Sequence, residues 1–509
     1  MLLIRYLYED IYAMIKRSLS FRKLLCVAAV GIGLSGVPAA AQQMTLEEVI
    51  QTARTSSVQT LQARSAFVSD YWAWRSYLAS RLPSLYFYGN VGAFDRSLRL
   101  LQKPDTGEMV YVSNYNMENS LGLQARQNIT FTGGTLTVST DLQRIDQFGM
   151  GGHTWYAQPV TVSYSQPLFA FNQFKWDKLI SPKEYERAKR TYLEAMEDIT
   201  LVAVSDYFEV MQAQKVLETS VTNYENTSRM LDIARERLGL GSVTRDEYLQ
   251  LELRMLNDSI SIDENRIALQ KARMQLNSLL GFDESLAVET VLEEYLPEVL
   301  IDYDLVLQKC SENSSFNYEN QINVLNAESA VAKAKASRGI TMQLNARFGL
   351  SNSAKEFQET YKNLLDQEVV GLSFSVPIFD WGEGKGRVRK AEAAADVVRA
   401  QVEQAENDKR IALFTAVGQF NNQRRLCDVS RRANDIALER YELVMEKFRA
   451  GSASVTDLNT ARSESDEAVR KYIEDVSRYW TYYYTLRKLT LYDFIAGDDI
   501  MVDYNEMVQ

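Results

Sequence analysis

Proline is scarce in this 509-residue chain, and it is unevenly distributed. All eight prolines lie at or before Pro377, and none falls in 183–296 or 378–509. Compact domains interrupt their helices with proline and glycine more often than this. The proline-free segments therefore predict long, uninterrupted helices, and they argue against the three or four ordinary domains that the length alone would suggest.

Histidine and cysteine are also nearly absent. His153 is the one histidine, and the cysteines are Cys26, Cys310 and Cys427. Metal sites and nucleophilic active sites draw most of their ligands and bases from clusters of these residue types. Because the sequence offers no such cluster, we expect no catalytic residue, no metal site, no bound cofactor and no enzymatic activity. Cys310 and Cys427 are expected to be isolated buried thiols.

An excess of positive charge is missing as well. The formal net charge is −11, and residues 1–41 hold five bases against two acids, so the remainder carries −14. This balance argues against a nucleic-acid partner. After residue 41, no run reaches the roughly 18 continuous apolar residues that are typical of a membrane-spanning helix.

The N-terminus has the pattern of a secretory signal peptide. Four bases between 16 and 23 precede a short apolar stretch at 24–37, and PAAA at 38–41 supplies a cleavage site of small residues. The apolar stretch is too short for a membrane anchor. We predict that residues 1–41 are removed and that the mature chain begins at Gln42.

Two landmarks recur at a constant offset of 210 residues. The motif QPLF at 166–169 is matched by VPIF at 376–379, and the turn GLGS at 239–242 is matched by RAGS at 449–452. Distant landmarks that share one offset indicate an internal duplication. Each copy is predicted to run from a strand into a very long helix, through a tight turn, and into a returning helix.

Helical periodicity fills the segments that lack proline. The returning helices begin with capping sequences, in which Thr244 precedes Glu247 and Ser454 precedes Asp457 by three residues. The predicted helices lie at 44–81, 182–238, 244–280, 303–338, 382–448 and 454–492.

Alternating apolar and polar residues predict several strands, and TGG at 132–134 predicts a hairpin turn between two of them. Residues 94–117 are polar, and KPDTG at 103–107 predicts a loop tip. Gly92 and Gly349 are 257 residues apart, so the first copy carries about 47 extra residues, which the hairpin 121–142 and its following loop occupy. The predicted strands lie at 85–92, 121–131, 135–142, 160–164, 341–348 and 370–379.

The chain resembles the TolC-like outer-membrane efflux and secretion channels over nearly all of its mature length. The resemblance rests on the motif QPLF at 166–169, the motif VPIFDWG at 376–382 and the two glycine-serine turns. The resemblance implies a mostly helical α+β fold. In it, three copies share a small transmembrane β-barrel of four strands each, continuous with an α-helical barrel, a coiled-coil tunnel through the periplasm. It also implies location in the outer membrane of a Gram-negative bacterium, in contact with outer-membrane lipid.

By the same resemblance, the protein would be the passive channel component of a tripartite efflux or type I secretion system. A periplasmic adaptor and an inner-membrane transporter would be its partners. The alternative is a soluble periplasmic coiled-coil scaffold or adaptor-like protein, which explains the helices but not the paired strands. The predicted domains are a signal peptide at 1–41, a first repeat at 42–281, an acidic connector at 282–300, a second repeat at 301–496 and a tail at 497–509.

In this family the helix turns form the periplasmic mouth. Counted from the turn glycines, Asp457 matches a gate aspartate and Glu247 its acidic counterpart, although both positions also suit simple helix capping. This sequence differs from the family at three positions. Phe448 stands where the family usually has a tyrosine, Ala453 where it has a basic residue, and Thr460 where it has a second gate aspartate. The implied adaptor-contact residues are Leu240, Gly241, Ser242, Ala450, Gly451 and Ser452.

Overall fold

Long helices and one six-stranded sheet make up most of the structure, a computed structural model. It describes residues 42–102, 107–148, 151–283, 286–292 and 296–507. The predicted signal peptide lies outside the described residues.

The helices form two similar series. In the first half they are Leu46–Ser56 (α1), Val58–Ser80 (α2), Gln173–Gly239 (α3) and Arg245–Leu280 (α4). In the second half they are Tyr303–Asn313 (α5), Ser315–Arg338 (α6), Glu383–Ala450 (α7) and Val455–Thr490 (α8). At about 1.5 Å per residue, α3 and α7 are each roughly 100 Å long, so the predicted long helices are confirmed. Within the described residues, the helices lack the combination of length and apolar character needed to cross a membrane.

Two predicted helices are each broken once. The helix predicted at 44–81 is interrupted at Ser57, and the one predicted at 303–338 at Ser314, both with extended backbones. Serine hydroxyls favour such breaks because they bond to nearby backbone groups. Ser57 accepts from the backbone N–H of Thr60, whereas Ser314 donates to the carbonyl of Cys310. The two breaks are 257 residues apart, as are Gly92 and Gly349, so they belong to the duplicated unit.

The first long helix begins earlier than predicted. Proline favours the first turn of a helix, so the sequence placed the start at Pro182. In the structure α3 begins at Gln173, and Pro182 lies inside it. The side chain of Asn172 caps the helix by accepting from the backbone N–H of Lys175 at 3.2 Å.

The main sheet has six strands: Ser84–Gln102 (β2), Met109–Ile129 (β3), Gly134–Gln147 (β4), Gly152–Leu168 (β5), Thr341–Ala354 (β7) and Leu365–Ser375 (β8). They lie in that order across the sheet, and every pair is antiparallel. Short strands elsewhere are Gln42–Met44 (β1), Val288–Thr290 (β6), Tyr492–Asp493 (β9) and Asp498–Asp499 (β10). The predicted hairpin turn at 132–134 is confirmed, since it joins β3 to β4. The hairpin lies within the sheet.

The strand predicted at 85–92 is longer in the structure, and residues 103–106 of the predicted loop tip lie outside the described residues. Residues 94–102 continue β2, and residues 109–117 are the first part of β3, paired from Phe94↔Met117 to Gln102↔Met109. Polar residues here bond to one another along and across the strands. Asp95 accepts from Asn114 at 2.6 Å and also pairs with Arg99. The polar residues therefore alternate along the paired strands with apolar ones such as Phe94 and Leu98.

The largest core packs around aromatic residues of α8. Tyr479 and Tyr483 are fully buried, and their rings lie 5.1 and 6.0 Å from that of Phe420 on α7. Cys310 and Cys427 are buried and free, as predicted.

Candidate functional site

The two helix turns at the α3–α4 and α7–α8 junctions, hereafter the tips, have the same backbone geometry. The N–H of Ser242 donates to the carbonyl of Arg237 at 2.9 Å, and the N–H of Ser452 donates to that of Lys447 at 2.9 Å. Gly241 and Gly451 have φ angles of +73° and +83°. Both glycines are in the left-handed conformation, and a side chain at either position would strain the turn.

The six residues predicted to contact an adaptor lie on these tips, and all of them are exposed: Leu240, Gly241, Ser242, Ala450, Gly451 and Ser452. Their exposure makes them available to a partner. Their role in adaptor contact stays a prediction.

Glu247 and Asp457 lie in the first turns of α4 and α8. The Glu247 carboxylate accepts from the Thr244 N–H at 2.8 Å, and that of Asp457 accepts from the Ser454 hydroxyl at 2.7 Å. The hydrogen bonds from the Thr244 backbone and hydroxyl lower the pKa of Glu247, and those from the Ser454 hydroxyl and backbone lower the pKa of Asp457. Each carboxylate is thus a helix cap that stays charged at neutral pH, and the gate role stays a prediction.

Arg237 joins the first tip to the second. Its guanidinium donates to the carbonyl of Phe448 at 3.1 Å and also to that of Arg449. These acceptors are backbone atoms, which no residue-type pattern reveals, so the sequence did not single out Arg237. Phe448 itself is buried in an apolar cluster between the tips, composed of Met230, Leu231, Ala234, Tyr248, Leu251, Phe448, Val455 and Leu458.

A buried ion pair lies farther along the same helices. The Arg462 guanidinium on α8 donates to both carboxylate oxygens of Asp258 on α4, at 2.7 and 3.0 Å. The Thr227 hydroxyl on α3 donates to the same carboxylate at 2.7 Å. Asp258 and Arg462 are only 4% and 7% exposed. The network ties three helices together, and it depends on both charges being present.

The sheet has one apolar and one polar face. Directly paired residues point to the same face, and successive residues alternate. One row across the sheet consists of Leu85, Ala125, Val138, Val162 and Phe348, and it ends at Glu368 on β8. The adjacent row consists of Tyr86, Gln124, Ser139, Thr161, Gly349 and Gln367. Large apolar residues of the apolar face, such as Leu85 and Phe348, are exposed in the single chain. An exposed apolar face opposite a polar face suits a sheet between lipid and water.

Exposed aromatic residues mark the end of the sheet that joins the helices. Phe131 lies in the β3–β4 turn, Phe169 follows β5, and Phe379 and Trp381 follow β8. Phe131 is 93% exposed and Trp381 90%. Phe169 and Trp381 adopt left-handed backbones, with φ of +59° and +54°, which costs these residue types of order 1–3 kcal/mol. Their exposure argues against core packing and favours an aromatic belt at a membrane surface.

Within the described residues, no group of three or more histidine, cysteine, aspartate or glutamate residues is arranged to hold a metal ion.

Comparisons with known proteins agree with this architecture. Residues 319–490 match the family model described as outer membrane efflux protein. The outer membrane protein TolC of Escherichia coli strain K12 is 25% identical over 264 residues, which are 50% of this chain and 52% of TolC. The chain therefore spans about half the length of this curated relative.

Solved outer-membrane channels share the fold over nearly the whole chain. The CmeC channel of Campylobacter jejuni superposes with a TM-score of 0.63 at 15% identity, covering 91% of this chain and 88% of CmeC. VceC of Vibrio cholerae gives a TM-score of 0.60 at 14% identity, covering 90% and 97%. The predicted mostly helical α+β fold and the predicted outer-membrane location are thereby confirmed. Residues 319–490 thus match the family of outer membrane efflux proteins, and the chain shares the fold of solved outer-membrane channels.

Proposed function

We propose that the protein is the passive outer-membrane conduit of a tripartite efflux or type I secretion system, and that it works as a homotrimer. The observation that carries the proposal is that a single chain exposes apolar surfaces on both its helices and its sheet. Such surfaces need neighbours, and further copies of the chain in a ring can supply them for the helices.

The helical surfaces have the spacing of coiled-coil seams. On α4, exposed apolar residues follow one another at intervals of four, three, four and seven: Leu249, Leu253, Leu256, Ile260 and Ile267. On α7 they recur every seven residues: Val429, Ile436 and Leu443. These stripes lie in different halves of the chain. A head-to-tail contact between copies would bury both stripes and close a ring.

The tips are the part of the conduit that we expect to meet its partners. A periplasmic adaptor would dock on their exposed residues, and an inner-membrane transporter would supply the energy. The left-handed glycines and the Arg237 contacts support this role because they give the tips a defined shape. The conduit itself requires no catalytic group.

Three copies around one axis would bring three Asp457 carboxylates, and separately three Glu247 carboxylates, around the mouth. Like charges held close together repel one another, and a bound cation relieves that repulsion. Because the pKa of both groups is lowered, these rings would be charged at neutral pH. Divalent or trivalent cations should therefore occupy the mouth and obstruct it.

Single-channel recording in planar bilayers tests this function. We expect the wild type to conduct, and cations added on the periplasmic side to reduce its conductance. Asp457→Ala should weaken the block by roughly tenfold, which corresponds to a loss of about 1.4 kcal/mol in cation binding. Ser454→Ala is the matched control, because it removes the capping hydroxyl but keeps the carboxylate.

The outcomes separate the roles. Equal block of the wild type and Asp457→Ala would mean that Asp457 is only a helix cap. Equal loss of block in Asp457→Ala and Ser454→Ala would attribute the effect to capping. If the protein is extracted from the cell envelope without detergent and forms no channel, the proposed conduit function is contradicted and a coiled-coil scaffold is favoured.

A further inference from the structure

We infer that the β3–β4 hairpin is part of the membrane sheet, so that three copies close a barrel of eighteen strands instead of the twelve that the family resemblance implies. The inference rests on the homotrimer proposed above. Each copy contributes the six strands of its main sheet. The added strands are those of the hairpin, for which the second half of the chain has no counterpart in the sheet.

The hairpin occupies an interior position in the sheet. β3 pairs with β2 on one side and β4 pairs with β5 on the other. The hairpin itself is paired from Asn116↔Gln147 to Ile129↔Gly134 without a register shift. Moving it out of the sheet would break both flanking ladders and leave their backbone groups unpaired, which is costly in a membrane.

A contact on the polar face fastens the hairpin to β2. Tyr88, Gly122 and Asp141 lie opposite one another on β2, β3 and β4. The Tyr88 hydroxyl donates to the Asp141 carboxylate across Gly122. A Cβ at Gly122 would lie 2.6 Å from both Tyr88 and Asp141. The absence of a side chain at this position therefore lets one tyrosine span three strands.

Side-chain hydrogen bonds hold the hairpin at the end of the sheet where the strands meet the helices. The Asn172 side chain, which caps α3, donates to the carbonyls of Thr130 and Phe131, both at 3.2 Å. The Gln166 side chain donates to the carbonyl of Thr132 at 2.8 Å. On the other side, Gln127 donates to the carbonyl of Arg81 at 3.0 Å, after α2. The turn is thus integrated with both neighbouring strand–helix junctions.

The two edges of the sheet suit a second copy of this chain. The edge strands β2 and β8 are antiparallel to each other, because the sheet has an even number of antiparallel strands. β2 of one copy can therefore pair with β8 of the next without reversing either chain. The apolar face extends to both edges, at Leu85 and Val370, which are exposed. Closure into a ring removes the unpaired edges.

A barrel of eighteen strands is wide. Because diameter grows roughly linearly with strand number, it would be about half as wide again as one of twelve strands. Barrels of 16–18 strands leave an aqueous channel. The outer opening would then admit bulky hydrophilic cargo, and the size limit would lie at the tips.

Electron cryomicroscopy of the purified complex in lipid nanodiscs counts the strands directly. We expect three copies and eighteen strands, with the hairpin in the wall. Three copies with twelve strands and the hairpin outside would overturn the inference and leave the proposed conduit intact. Another copy number would overturn the inference together with the homotrimer.

Cysteine labelling in membranes provides an independent test. Leu123→Cys and Val138→Cys report the apolar face of the hairpin, and Gln124→Cys and Ser139→Cys are their polar-face partners. With a membrane-impermeant maleimide, the polar-face thiols should react at least about tenfold faster, since lipid covers the other face. Similar rates on both faces would overturn the inference. Cys310 and Cys427 are buried and should contribute little background.

Discussion

The two halves of the chain keep the same helices but have different sheets. The tip glycines lie 210 residues apart, whereas the helix breaks at Ser57 and Ser314 lie 257 apart. The difference is taken up between the outer strands, where the first half forms four strands and the second half forms two. Long helices must keep their apolar stripes in register along their whole length, but a strand pairs only with its neighbours. The sheet can therefore accept an insertion that the helical part cannot.

The largest effect should come from separating the additional hairpin from the rest of the sheet. Gly122→Val would place a side chain where Tyr88 crosses to Asp141, with a closest approach of 2.6 Å before relaxation. Such overpacking should break the β2–β3–β4 contact, and we expect roughly tenfold fewer heat-resistant trimers on gel electrophoresis of membrane extracts.

Gly152→Val is the matched control for that substitution. Gly152 lies in strand β5, its added Cβ would have no neighbour within 4 Å, and its φ is not positive. Valine also favours strands. Normal trimer yield in Gly122→Val, or equal losses in both variants, would contradict the role of Gly122.

A second prediction concerns an ion pair that links the two halves. Asp258→Ala would leave the Arg462 guanidinium buried without its main partner, which costs about 3–5 kcal/mol. We expect a clear fall in the midpoint of thermal loss of helicity, measured by circular dichroism. The double variant Asp258→Leu/Arg462→Leu should recover most of that stability, because it removes both charges. A double variant as unstable as Asp258→Ala would show that the pair itself is not the cause.

The smallest effect distinguishes the two tips. Arg237→Ala removes the bonds to the carbonyls of Phe448 and Arg449, each worth about 1 kcal/mol at a partly exposed site. Amide hydrogen exchange over 448–454 should become roughly fivefold faster. Lys447 occupies the corresponding place in the second tip, 210 residues later. Lys447→Ala should leave exchange over 238–244 unchanged, and equal effects of the two variants would remove the asymmetry.

Local features of the sequence predicted the parts of the fold that local chemistry determines. The glycine turns, the capping sequences at Thr244 and Ser454 and the TGG hairpin turn each depend on residues close together in the chain. The helix breaks and the continuation of β2 past residue 92 escaped prediction. Ser57 and Ser314 are not strong helix breakers, and Asp95 is accommodated in its strand by partners that only the register brings near.

The candidate site divides in the same way. The exposed tip residues could be located from the turn motifs, and Glu247 and Asp457 from their capping position. Arg237 could not be found, because its partners are carbonyls 211 and 212 residues away. Asp258 and Arg462 also escaped notice, since each is one of many charged residues on helices and only packing brings them together.

The position of the hairpin in the chain has a consequence for how such proteins can diverge. β5 must return toward the helices so that α3 can begin at Gln173 in the same direction as its counterpart α7. One additional strand would reverse the chain and send α3 to the wrong side of the membrane. Two additional strands leave every later element unchanged. In the barrel inferred above, the width of the pore can therefore change only in discrete steps, two strands in each copy at a time.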